Sequence, residues 1–160
     1  MNSHKRALAA MAVAAIGVGA AIPAITAAHK SGPKSQTLRL FDKPVNISLT
    51  TASGKVISHP PYPQARAGDV LNVYSLDYVG NHSHHARMWT MSTHLTCTFR
   101  QGPPACISNV AVGGSLLVFD GNKLVGATGD YQGATGRVLS NEEIPGAGDK
   151  SDVVVRITRR

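Results

Sequence analysis

Short runs in which hydrophobic and polar residues alternate make up most of the chain beyond Gln36. A period of about two residues is typical of β-strands with one buried face, and no helical period in this region exceeds about two turns. Glycine and proline, with 16 and 9 copies, separate the runs and favour a turn-rich β fold over a helix bundle. The predicted strands are 37–41, 45–50, 69–78, 85–99, 105–112, 115–119, 123–127, 134–139 and 152–158.

Mostly short connections between about eight strands predict an all-β antiparallel barrel or sandwich, and barrel closure would remove exposed sheet edges. Asp120-Gly121-Asn122 is a hairpin signal. Asp42-Lys43-Pro44 is predicted to separate the first two strands, and 58–68 is predicted as an irregular, proline-containing loop. The run 85–99 is predicted as one long strand with a bulge, and the sequence leaves open which face of it points inward.

The first 28 residues differ from the rest of the chain. Lys5 and Arg6 precede a long, uncharged stretch of small apolar residues, and small side chains occupy the positions that a signal peptidase reads. The pattern predicts a secretory signal peptide cleaved after Ala28, with cleavage after Ala27 as the alternative. A retained membrane anchor is the other interpretation, because the stretch is long enough to span a bilayer. The predicted organisation is a signal peptide at 1–28, a flexible segment at 29–36 and one secreted barrel domain at 37–160.

Composition excludes several functional classes. Hydrophobic residues at 42% and charged residues at 16% exclude an intrinsically disordered chain. The net charge is +7, but the cations are scattered and aromatic residues make up only 5%, so nucleic acid is not an expected partner. After signal cleavage no second long apolar run remains, so a membrane is not an expected partner either.

Two cysteines, Cys97 and Cys106, flank turn-forming residues, so they can face each other across a hairpin. In an exported protein they are expected to form a structural disulfide worth about 2–3 kcal/mol; two free buried thiols are the alternative. Their spacing is not that of a redox CxxC motif.

A short glycine-rich repeat follows, in which the sequence Gly-Ala-Thr-Gly occurs twice. Such glycines supply a positive φ or a close backbone approach, and no phosphate-binding GxxxxGK[ST] motif is present. The repeat therefore predicts a structural glycine turn made by Gly126, Gly129, Gly133 and Gly136.

Several motifs occur in a recognisable order between residues 68 and 138. Gly68-Asp69 opens a strand that ends near Asp77-Tyr78; a second strand ends in His94-x-x-Cys97, and Cys106 opens the next strand. The last motif is TGDYQGATGRV at 128–138. This order resembles the allene oxide cyclase and dirigent β-barrel superfamily. The resemblance implies an eight-stranded antiparallel barrel, preceded here by the signal peptide, with a largely apolar cavity and no metal or organic cofactor.

The same resemblance implies a function. Members steer the cyclisation or coupling of reactive small molecules and often form dimers or trimers, so a homodimer or homotrimer is expected. We therefore expect an exported barrel that steers cyclisation, dehydration or stereoselective coupling of a hydrophobic small molecule, such as an aromatic polyketide intermediate in antibiotic biosynthesis. It would be a cofactor-independent cyclase, isomerase or dehydratase, or a dirigent-type auxiliary. The alternative is a non-catalytic barrel that binds a hydrophobic ligand or a protein partner.

Candidate site residues follow from the chemistry of such a reaction, which needs a proton-transfer group, an orienting donor and an apolar wall. Asp77 and His94 are the proton-transfer candidates, although Asp77 could instead cap a turn and His94 could simply be packed or solvated. Dirigent proteins carry paired acids near the position of Asp77, whereas the local sequence here shows one. The candidate orienting groups are Arg87, Tyr74 and Tyr78, and the candidate substrate wall is Trp89, Met91 and Phe119.

A rival site is the run His82-Ser83-His84-His85, because imidazole is a common metal ligand. The run lies in a predicted turn, and metal sites need ligands held in fixed positions. A solvated histidine-rich loop is therefore the preferred interpretation, and no metal is predicted.

Overall fold

The chain folds into β-strands with a single 3-10 turn at Gly129–Tyr131 in the computed structural model, which describes residues 34–60 and 65–159. The predicted signal peptide and its cleavage sites lie outside these residues. The strands are β1 Lys34–Thr50, β2 Val56–Ser58, β3 Val70–Asn81, β4 His84–His85, β5 Met91–Arg100, β6 Gly102–Val112, β7 Ser115–Asp120, β8 Lys123–Ala127, β9 Thr135–Glu143 and β10 Ser151–Arg159.

All of these strands except β2 and β4 form a closed antiparallel barrel in the order β1-β10-β9-β8-β7-β6-β5-β3, returning to β1. Closure depends on the length of β1. Its first half pairs with β10 from Lys34 to Asp42, and its second half pairs with β3 from Leu40 to Thr50. The predicted eight-stranded antiparallel barrel is confirmed.

One long strand replaces the first two predicted strands. β1 runs through Asp42-Lys43-Pro44, and the register with β3 shifts between Pro44 and Asn46. Proline lacks the N–H that a central ladder needs, so its place in a sheet is at an edge or a bulge. The prediction of a loop at 42–44 was wrong because the proline marks a bulge rather than a break. Residues 34–36, predicted as flexible, also belong to β1.

The other predicted strands are present with shifted ends. β5 begins at Met91, so residues 86–90 form a loop instead of the start of a long strand. β3 extends to Asn81, and β9 extends to Glu143. The predicted hairpin at Gly121 is confirmed, with Asp120 paired to Lys123.

Cys97 and Cys106 are directly opposed on β5 and β6 and form the predicted disulfide, with their Cα atoms 4.1 Å apart. The four glycines of the repeat occupy two different kinds of structure. Gly129 and Gly133 lie in the turn with φ of +58° and +74°. Gly126 and Gly136 lie instead in β8 and β9.

A hydrophobic cluster lies inside the barrel. It is built around Met91, Leu117, Phe119, Val155 and Ile157, and Tyr131 packs against it. One end of the barrel carries the β5–β6, β7–β8 and β9–β10 turns and is called the open end below. In the described part of the chain, no helix has the length and apolar character needed to cross a membrane.

Candidate functional site

A cavity of about 810 Å³ occupies the barrel interior. Most residues of the hydrophobic cluster line this cavity. Residues of the turns, such as Arg100, Asp120 and Asp149, line it at the open end, which is called its mouth. The volume falls within the range of small-molecule sites, which are typically about 300–1,000 Å³ and mainly apolar with a few placed polar groups.

Four polar residues form a continuous arc across the inner wall. Glu143 on β9 is opposite Ser151 on β10, Ser151 is opposite Asp42 on β1, and Asp42 is opposite Asp77 on β3. Directly opposed residues point to the same face of a sheet, and all four line the cavity. We call these four residues the acidic arc. Because strands tilt in a barrel, the arc descends from the open end into the interior.

Asp42 and Asp77 are the members of the acidic arc furthest along the register from Glu143; Asp77 is only 2% exposed, and Asp42 is half-buried. Their carboxyl groups share a hydrogen bond. The Thr93 hydroxyl donates a second hydrogen bond to Asp77 Oδ2 at 2.6 Å, and the Ser75 side chain hydrogen-bonds to Asp42. Thr93 lies on β5, opposite Ser75 on β3, so three adjacent strands fix the positions of these groups.

Burial dominates the ionisation of this pair. Desolvation, followed by the negative charge of Asp77 and the hydrogen bond with it, raises the pKa of Asp42 to about 7. Desolvation also raises the pKa of Asp77, while the hydrogen bonds with Thr93 and Asp42 oppose that rise. The pair therefore retains one proton up to about pH 7, and its two carboxyl groups are then in opposite protonation states. Two adjacent carboxyl groups in opposite protonation states can serve as an acid and a base in one site.

The remaining predicted proton-transfer group lies outside the barrel. His94 is exposed on the outer face of β5, directly opposite Tyr74 on β3, which is 44% exposed. Neither side chain lines the cavity. The structure therefore separates both residues from Asp77, although Tyr74 is only three positions from it in sequence.

Three more of the predicted site residues also lie outside the cavity. Arg87 is exposed in the 86–90 loop, and Trp89 in the same loop is 53% exposed. Tyr78 packs on the outer surface with Phe41 and His85.

Of the predicted wall residues, Met91 and Phe119 line the cavity and are buried, whereas Trp89 does not line it. The odd-numbered face of β5 is the inner one, since Met91, Thr93 and Leu95 all line the cavity.

Two histidines of the run, His82 and His85, make side-chain contacts with other strands of the barrel. The His82 ring is 2.6 Å from the Asp152 carboxylate on β10, and the backbone N–H of His82 donates to the same carboxylate at 2.7 Å. His85 stacks on Phe41 with ring centroids 4.8 Å apart. Among residues 34–60 and 65–159, no group of three or more His, Cys, Asp or Glu side chains is arranged to hold a metal ion.

Asp42 is the residue that sequence reasoning missed. Its neighbours suggested a turn, yet the alternation of Leu38, Leu40 and Asp42 places all three on the inner face of β1. That alternation was the available signal, and Pro44 obscured it.

One residue at the mouth has an unusual backbone. His59 lines the cavity and has φ of +48°, the only positive φ of a non-glycine residue in the described ranges. Such conformations are held by the surrounding structure and are common near binding sites. The His59 N–H donates to the Ile47 carbonyl at 2.9 Å, which ties this part of the mouth to β1.

Comparison of the chain with family models, curated proteins and solved structures gave no match. The function is therefore argued from the chemistry of the cavity, because a fold by itself does not specify one.

Proposed function

We propose that this protein is an exported barrel that binds a hydrophobic small molecule in its interior and catalyses proton transfer on it, as in ring closure or dehydration. The observation that carries the proposal is the pairing of half-buried Asp42 with buried Asp77 inside a cavity of about 810 Å³ that apolar and polar side chains line together. A general acid or base works best when its pKa lies near the working pH, and burial brings the pKa of Asp42 to about 7.

The two carboxyl groups have different roles in such a step. Asp77, held by Thr93, removes a proton from a carbon atom of the substrate. Asp42 gives its proton to the oxygen that leaves as water, or that gains a bond to hydrogen during ring closure. Each step moves one proton from substrate to Asp77 and one from Asp42 to substrate. The hydrogen bond between the two carboxyl groups then returns the proton to Asp42, so the pair is regenerated without a cofactor.

The rest of the cavity would control the shape of the substrate. Met91, which is opposite Asp77 on β5, and Phe119 contribute buried apolar surface to the cavity. Holding a flexible molecule in one near-reactive conformation accelerates ring closure and selects one stereochemical outcome.

The cellular setting is proposed on separate grounds. The Cys97–Cys106 disulfide favours an oxidising compartment outside the cytoplasm. The motif order between residues 68 and 138, together with the barrel, supports a relationship to the allene oxide cyclase and dirigent barrels. Aromatic polyketide-type intermediates are the substrate class that this relationship favours.

The test is chiral metabolite profiling of the producing strain after deletion of the gene and after its replacement by Asp77→Asn. We expect both strains to lose the same product, to accumulate a shunt product, or to lose an enantiomeric preference. Asp130→Asn is the matched control, because Asp130 is exposed and does not line the cavity.

Two results would contradict the proposal. An unchanged profile in the deletion strain, with the protein detected in the parent, would exclude a biosynthetic role and leave a ligand-binding barrel. A normal product in the Asp77→Asn strain would exclude proton transfer by this pair. The oxidised disulfide and the circular dichroism of the purified variant establish that it is folded.

A further inference from the structure

Acidic side chains are concentrated inside the barrel, although the chain as a whole is basic. The chain has 16 Lys and Arg against 9 Asp and Glu. Five of those nine acids line the cavity, whereas Arg100 is the one Lys or Arg of the described residues that does so. The acids are Asp42, Asp77, Asp120, Glu143 and Asp149. The interior and the outer surface therefore have opposite charge.

None of the Lys and Arg residues that the structure describes lies beside the acidic pair. Asp42 faces Asp77, Ser75 and Ser151, and the nearest charged member of the acidic arc is Glu143, another acid. Asp77 faces Asp42, Thr93 and Met91.

The single arginine of the lining is held at the mouth. Its Nε–H donates to the Pro103 carbonyl at 3.0 Å within the β5–β6 hairpin. Histidine is represented in the lining by His59, which also lies at the mouth. Within residues 34–60 and 65–159 nothing supplies a positive charge at the pair, which leaves that role to a ligand.

The ionisation of the pair agrees with this arrangement. A cation within about 4–6 Å of a carboxyl group favours its charged form, whereas burial without a cation favours the protonated form. Asp42 and Asp77 both behave as groups without a cation, since burial raises the pKa of each. An ammonium group at this place would replace the shared proton. Its attraction to the two carboxylates would offset the cost of burying the second negative charge.

We infer that the cavity takes a cationic hydrophobic ligand, a primary or secondary amine on an apolar skeleton, whose ammonium group lies between Asp42 and Asp77. This ligand occupies the same cavity as the substrate of the proposed function, and because its ammonium group displaces the proton of Asp42 it competes with that substrate. The acids at the mouth, Asp120, Glu143 and Asp149, attract the cation towards the opening. The same groups repel an anionic ligand, so the cavity also discriminates against carboxylates.

The test uses three probes with one ring system: 9-(aminomethyl)anthracene, 9-anthracenemethanol and 9-anthracenecarboxylate. Binding to the disulfide-bonded protein without its signal peptide is followed by probe fluorescence at pH 8 and low salt. We expect the amine to bind at least about tenfold more tightly than the alcohol, and the carboxylate to bind most weakly. Lowering the pH from 8 to 5 should weaken amine binding, because protonation of the pair removes the negative charge. Alcohol binding should hardly change over this range.

Variants separate the pair from the rest of the cavity. Asp42→Asn and Asp77→Asn should each reduce the preference for the amine over the alcohol to about twofold or less while retaining alcohol binding. Asp130→Asn should leave the preference intact, because Asp130 lies outside the cavity.

The outcomes keep the inference and the proposed function apart. Equal binding of amine and alcohol by the wild-type protein would overturn the inference and leave proton transfer on a neutral substrate standing. Failure of all three probes to bind at millimolar concentration would also overturn it. Retention of the natural product in the Asp77→Asn strain would overturn the proposed function, whichever probe binds best.

Discussion

The carboxyl groups of Asp69 and Asp42 experience opposite environments. Asp69, 5% exposed, accepts hydrogen bonds from the backbone N–H groups of Arg66 at 2.8 Å and Ala52 at 2.9 Å. These donors lower the pKa of Asp69 below its usual value. Asp42 has an acid as its neighbour, and burial raises the pKa of that carboxyl group. Asp69 therefore has a structural role, joining two loops, whereas Asp42 is suited to carry a proton.

The raised pKa of Asp42 has a consequence for stability. A carboxyl group with pKa 3.8 when unfolded and about 7 when folded binds its proton more tightly in the folded state. Its favourable contribution is full below about pH 4 and is lost as the pH rises through 7. Each unit of pKa elevation corresponds to about 1.4 kcal/mol. The sign is opposite to that of a carboxylate in a salt bridge.

We predict that Asp42→Asn is more stable than the wild-type protein at pH 8, by about 1–3 kcal/mol, and gains little at pH 4. The amide stays neutral at both values of pH and still supplies a hydrogen bond to Asp77. Urea unfolding at the two pH values measures the difference in the free energy of unfolding. The exposed Asp130→Asn variant should show no such pH-dependent gain. Equal effects of Asp42→Asn at pH 4 and pH 8 would contradict the assignment.

At the scale of the strand, alternation and turn chemistry predict an element well where they agree, and either can mislead where it acts alone. The runs from Ser115 to Ala127 were predicted nearly to the residue, because a tight hairpin and a strict period of two coincide there. β1 was divided in two because Pro44 resembles a break, and β5 was extended because residues 85–90 continue the alternation by chance.

Of the two aspartates in the pair, the sequence predicts one. Asp77 could be chosen from its own strand, but its partner lies on β1 and is brought to it by the β1–β3 register. Local pattern contains no information about register between strands so far apart in sequence. His94 and Tyr74 have side chains suited to a reactive site. A side chain reaches the cavity, however, only if it lies on the inner face of its strand.

The disulfide is an element-scale feature, because it joins β5 to β6 next to the hairpin that already connects them. Replacing both Cys97 and Cys106 by alanine should lower the free energy of unfolding by about 2–3 kcal/mol, since a short closed loop is released. Urea unfolding of the double variant measures this loss. Adding a thiol reductant to the wild-type protein should produce a similar loss, and should not affect the variant. An unchanged midpoint in both cases would show that the hairpin alone holds the two strands.

For the molecule as a whole, the ladders around the barrel are unequal. β3 and β5 pair continuously from Val70 to Asp77, whereas β8 and β9 are paired only at Lys123 and Arg137, supported by a hydrogen bond of 2.8 Å from Val138 N–H to the Asn122 carbonyl. The wall between β8 and β9 is therefore its weakest part.

We predict that amide hydrogen exchange reflects this inequality. Amides of β8, and those of β9 that point towards it, should exchange at least about tenfold faster than the paired amides of β3 and β5, because local opening there breaks few contacts. Exchange measured by NMR or mass spectrometry tests this directly. Uniform protection around the barrel would contradict the description of a weak seam.

The long first strand also sets the order of events during synthesis. Its initial residues pair with the last strand of the chain, as in the contact between Ser35 and Thr158, which are 123 positions apart. In the described ranges no segment before β10 supplies those partners, so the barrel cannot close until β10 is available. Contacts so distant in sequence form slowly. A chain that closes only after its last strand emerges can stay unfolded long enough to be threaded across a membrane before it folds.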